Sequence, residues 1–82
     1  MALMERLREA EQLGEGWQQC DGLRWTRAAK KPRWETVRLA EAGTVEGWQW
    51  IYEPPHSSYP CQSWAFFALS DLLQWRADRA MA

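Results

Sequence analysis

The sequence predicts a small α+β domain: an N-terminal helix, a three- or four-stranded antiparallel sheet, and a long C-terminal helix packed on that sheet. Three observations carry this. Apolar residues recur at helical spacing at both ends of the chain. A tight-turn dipeptide, Asp21-Gly22, sits between two short extended runs. The aromatic run Trp48-Gln-Trp-Ile-Tyr52 alternates in side-chain type. Helices flanking a run of strands imply a two-layer architecture with the helices on one face. The 82 residues fit one domain, residues 1–82.

The first helix covers residues 2–13. Leu3, Leu7, Ala10 and Leu13 fall near one side, and Glu5, Arg8, Glu9 and Gln12 fill the other. Gly14 and Gly16 end it, as glycine does at a helix C-terminus. Asp21-Gly22 then suits a two-residue type I′ hairpin, which needs positive φ at both positions. That closure predicts strands Trp17–Cys20 and Leu23–Arg27, with Cys20 facing Leu23 and Gln18 facing Trp25. Residues 28–32 connect, and residues 33–39 fit either strand or helix. A strand is favoured, because the following Gly43 and the aromatic run make a meander natural. Trp48, Trp50 and Tyr52 share one face, read as core.

Pro54-Pro55 ends the aromatic strand. Ser63 is expected to cap a helix from Trp64 to Ala80. On that helix Phe66, Leu69, Leu73, Ala77 and Ala80 form the core stripe, flanked by Leu72 and Ala65. Trp64, Ala68 and Trp75 then lie opposite, with Phe67 partway round. A helix apolar on two sides is buried on two sides. Two readings follow. Either the N-terminal helix, or the Pro-rich loop through Tyr59, folds over Trp64 and Trp75. Or Trp64, Phe67 and Trp75 form an aromatic face for a protein partner or a second copy of the chain, with Asp71 and Asp78 in its polar rim. Tryptophan favours such a role because it brings large area with few rotors.

Charge is unevenly spread. Residues 1–23 hold five acids and two bases; residues 24–38 hold six bases against Glu35 alone; the rest returns to net negative, and the total is −1. The basic segment, with Arg24, Arg27, Lys30, Lys31, Arg33, Trp25 and Trp34, suggests an alternative, nucleic-acid binding. There the bases would meet phosphates and tryptophan would stack on nucleobases. The slightly acidic balance of the whole chain argues against it.

Catalytic patterns are not found. The single histidine, His56, stands beside Ser57 and Ser58 without the separate base and orienting group that a triad needs. Cys61 with His56 has no motif context. Cys20, Cys61 and His56 lack zinc-site spacing, and no glycine-rich phosphate loop occurs. The expectation is a non-enzymatic binding module without metal or cofactor, an adaptor or a small inhibitor of a larger assembly. Its size matches that of compact inhibitors encoded by phages, an analogy of size alone. Without a signal-peptide pattern or a run of about 20 apolar residues, a cytoplasmic setting with no membrane partner is expected. Both cysteines are then free thiols, with Cys20 packed as a small apolar residue.

Overall fold

A computed structural model describes residues 2–28, 34–43, 47–55 and 63–81, and the side chains of these up to residue 79. In chain order the elements are α1 (Leu3–Glu9), a 3₁₀ turn (Ala10–Leu13), β1 (Gln18–Asp21), β2 (Arg24–Ala28), β3 (Trp34–Glu41), β4 (Trp48–Glu53), β5 (Trp64–Phe66) and α2 (Leu69–Met81). The strands form one antiparallel meander in the order β1-β2-β3-β4-β5. Each strand pairs with its sequence neighbour. The α+β reading holds, but the sheet has five strands rather than three or four.

The extra strand is β5. Trp64–Phe66 pairs with β4 at Trp50↔Phe66, Ile51↔Ala65 and Tyr52↔Trp64, so the expected single helix from Trp64 starts five residues late. The reason is registry with β4. As a strand, Trp64 and Phe66 place their rings beside Tyr52 and Trp50 on the apolar face. Ser63 therefore precedes a strand and caps no helix. The backbone carbonyl of Ala68 instead opens α2, accepting from the amides of Asp71 and Leu72.

The first hairpin slips by one residue from its expected register. Gln19, not Gln18, lies opposite Trp25, and Asp21 lies opposite Arg24, with a bulge between Gln19 and Asp21. The turn is Gly22-Leu23, where the Asp21 carboxylate accepts from the Leu23 backbone amide at 2.9 Å and the Gln19 side-chain Nε2 donates to the Gly22 carbonyl at 3.1 Å. Aspartate forms such local turns readily. The slip leaves Cys20 exposed rather than packed.

Residues 34–41 are strand, and its alternation decides the core. Glu35, Val37 and Leu39 are buried while Thr36, Arg38 and Ala40 are half-exposed. The inner face joins Trp25, Val37, Leu39, Trp50 and Tyr52 to Leu13, Leu69 and Leu72 from the helical layer. Trp50 takes the centre, fully buried and 5.5 Å from the Trp25 ring. The aromatic strand is core, as its alternation implies. Both helices cover this face, and none of the described residues packs a helix on the other. Gly14 and Gly16 end the 3₁₀ turn with φ of 76° and 92°, a conformation glycine adopts without strain. Among the described residues, no helix is long and apolar enough to cross a membrane.

Candidate functional site

The sequence-predicted aromatic surface is assembled from two elements rather than one helix. Trp64 comes from β5 and Trp75 from α2, and their rings meet at 4.9 Å. Trp75 also packs against Phe66 and Tyr52, each at 5.7 Å. Arg79, one turn beyond Trp75, lays its guanidinium 4.7 Å from the Trp75 ring and 5.5 Å from that of Trp64. Both tryptophans remain half-exposed. Phe67, in the turn between β5 and α2, is 42% exposed. Asp71 is exposed and lies at i−4 from Trp75 within α2, so these two share a side of the helix, while Phe67 precedes it. Asp78 is exposed and held by Gln74 at 2.9 Å.

Among the described residues, Tyr52, Phe66 and Arg79 half-cover the Trp64 and Trp75 rings. Tyr59 lies outside the described residues.

The basic segment is divided by the sheet. Arg27 faces inward and binds Glu35 at 3.2 Å. Arg24 is exposed on the outer face, directly opposite Arg38. Trp34, 56% exposed, lies on that outer face but at the far end of β3. Four residue steps along the strand separate Trp34 from Arg38, about 13 Å. Lys30, Lys31 and Arg33 fall outside the described residues.

Sequence reasoning missed two ionic clusters. In the first, the buried Glu35 carboxylate accepts from the Tyr52 hydroxyl at 2.7 Å, from Arg76 Nε at 2.9 Å, and from Arg76 Nη2 and Arg27 Nη1 on its other oxygen. Arg76 also lies 5.5 Å from the Trp17 ring. Burial pushes the Glu35 carboxyl up, but hydrogen bonds from Arg76 and Tyr52, with the Arg76 charge and Arg27, outweigh it and hold the group below its ordinary range. Burial and the adjacent Glu35 carboxylate push Tyr52 up to about 12. Neither group is tuned for proton transfer near neutrality, where a catalytic acid or base works best. The arrangement holds the sheet to α2.

In the second cluster, Arg6, 4% exposed, donates to the Trp48 carbonyl at 3.0 Å and to Glu9 Oε1 at 2.8 Å. Glu9 Oε2 accepts from the Trp50 indole and from the Leu69 amide, each at 3.0 Å. Glu9 is thus not on a solvated face. The readable signal for both clusters was a charge in phase with an apolar stripe: Glu35 with Val37 and Leu39, Arg6 beside Leu3, Leu7 and Ala10.

Among the described residues, no three of histidine, cysteine, aspartate or glutamate stand close enough to hold a metal ion; His56 and Cys61 fall outside them. Comparison with known protein families, with characterised proteins and with solved structures finds no match to this chain.

Proposed function

We propose that this domain is a non-enzymatic protein-binding module, an adaptor or small inhibitor, and that its contact surface is the α2–β5 edge formed by Trp64, Phe67, Asp71 and Trp75. The observation that carries this reading is the Trp64–Trp75–Arg79 stack. It holds two large rings half-exposed against each other, and Phe67, in the turn that joins their two elements, is exposed as well. Preset tryptophan and arginine side chains give up little conformational entropy on binding, which is why they dominate binding hot spots. The partner is a different protein or a second copy of the chain.

Phe67 makes the cleaner test than Trp75, which also packs on the core. Phe67→Asp is expected to leave the unfolding midpoint nearly unchanged, within about 0.5 kcal/mol, and to abolish the complex in light scattering or in capture from the host. A complex that survives Phe67→Asp and Asp71→Arg sinks this assignment.

The alternative, nucleic-acid binding through residues 24–38, keeps one observation in its favour, the exposure of Trp34 on the face that carries Arg24 and Arg38. A salt-sensitive complex with single-stranded DNA, lost in Trp34→Ala, would support it instead.

A further inference from the structure

A groove of about 480 Å³ lies between the 3₁₀ turn and the first hairpin. Leu13, Trp17 and Trp25 provide its apolar lining, and Glu11 and Glu15 stand in its wall. Both acids are exposed. Beside the groove runs β1, whose residues are exposed along the whole strand. Among the described residues only β2 pairs with β1, which leaves it as a sheet edge. Such an edge presents unpaired backbone N–H and C=O groups, a template for an added strand. The bulge between Gln19 and Asp21 interrupts that template at one end, so regular pairing is confined to Gln18 and Gln19.

Charge decides the occupant. The exposed charges of residues 2–23 are Glu5, Glu11, Glu15 and Asp21 against Arg8. Arg6 is buried and its charge is answered by Glu9. Arg24 stands opposite Asp21, Arg27 lies against Gly16 and Arg76 lies over one side of Trp17, so the acidity is local: the groove lining holds Glu11 and Glu15, no basic residue and two indole rings. A lysine or arginine side chain matches both: its aliphatic stem covers apolar surface while its charged head reaches a carboxylate, and a cation is attracted to an indole face.

We infer that the β1 edge and this groove bind an extended, lysine- or arginine-bearing segment of a partner protein by strand addition, with the basic side chains inserted between Trp17, Trp25 and the carboxylates of Glu11 and Glu15. This surface is separate from the α2–β5 edge, and the inference stands whether or not that edge binds a partner.

The test is NMR titration of the ¹⁵N-labelled protein with a short peptide of alternating lysine and threonine, against a peptide in which glutamate replaces lysine. The lysine peptide is expected to shift the indole signals of Trp17 and Trp25 and the backbone amides of Gln18 and Gln19, and to protect whichever of these two amides faces away from β2. The combined variant Glu11→Lys, Glu15→Lys is expected to weaken binding at least about tenfold, and Phe67→Asp to leave it unchanged. Both reversed positions are exposed, so the variant should fold, which its dispersed spectrum would verify. The inference is overturned if the lysine peptide moves none of these signals, if the glutamate peptide binds as well, or if charge reversal leaves the affinity as it was. Indole shifts without any change at Gln18 and Gln19 overturn strand addition.

Discussion

Glu9 receives donors from one near and two distant places: Arg6 in its own helix, the Trp50 indole in β4 and the first amide of α2. The first four amides of a helix have no partner inside it. A capping side chain normally supplies one, yet Ala68 has none to offer. Glu9 fills that place from across the fold and brings a negative charge to the N-terminus of α2, where the helix dipole favours it. Removing it strands two neutral donors and a buried guanidinium. Since each unsatisfied buried group costs about 1–3 kcal/mol, Glu9→Ala is expected to lose about 3–5 kcal/mol, a large share of a small domain's stability. Urea unfolding would measure this, read as a fall in midpoint at constant slope. A loss below about 1 kcal/mol would mean that water replaces the carboxylate.

At the scale of elements, the phase of α2 differs from the sequence expectation. Leu72 is fully buried and Leu73 only partly, the reverse of their expected rank. Stepping from Leu69, the buried stripe runs through Leu72 and Leu73 to Arg76, and Ala77 is exposed. Arg76 pairs with Glu35, so a guanidinium, not Ala77, meets the sheet in this phase. Leu72→Ala is therefore expected to cost about 2–5 kcal/mol, as for other fully buried leucines, and Leu73→Ala about 1 kcal/mol. Equal losses in chemical denaturation would contradict this phase. Trp75→Asp belongs to the same element. Because Trp75 packs on Tyr52 and Phe66, that change is expected to destabilise the fold and so cannot by itself identify an interface.

For the whole molecule, the Glu35 cluster couples stability to pH at both extremes. The folded state holds the Glu35 carboxyl below its ordinary range, so its contribution is complete above the unfolded glutamate value and is lost as pH falls through the depressed one. Tyr52 works in the opposite sense. Its pKa is raised to about 12, so its contribution is complete below the ordinary tyrosine value of about 10 and is lost as pH rises from there to about 12. Thermal unfolding followed by circular dichroism should show both slopes. Glu35→Gln should flatten the acid limb, its deficit relative to wild type shrinking as pH falls. Tyr52→Phe should flatten the alkaline limb. An unchanged acid limb in Glu35→Gln would mean that other carboxylates govern acid unfolding.

Periodicity by itself determined much of the fold. Leu3, Leu7, Ala10 and Leu13 marked the first helix, Gly14 its end, and Trp48, Trp50 and Tyr52 an aromatic strand with an inward face. These are local signals, because side-chain spacing and turn chemistry act within a few residues. Tertiary structure decided the rest. Trp64–Phe66 has helix-compatible spacing, and only pairing with β4 makes it a strand. The hairpin register was set by the Asp21 side chain rather than by the turn dipeptide alone. For the candidate surface, the sequence named Trp64 and Trp75 as partners on one side, and their rings do meet. They meet across a strand and a helix, however, and with Arg79 between them and solvent. Glu9 and Glu35 were read as solvated and as a lone acid in a basic segment. A buried charge is tolerable only where partners converge on it. Those partners, Trp50 and Leu69 for Glu9 and Tyr52 and Arg76 for Glu35, lie 17 to 60 residues away in the chain, a range that no local pattern reaches.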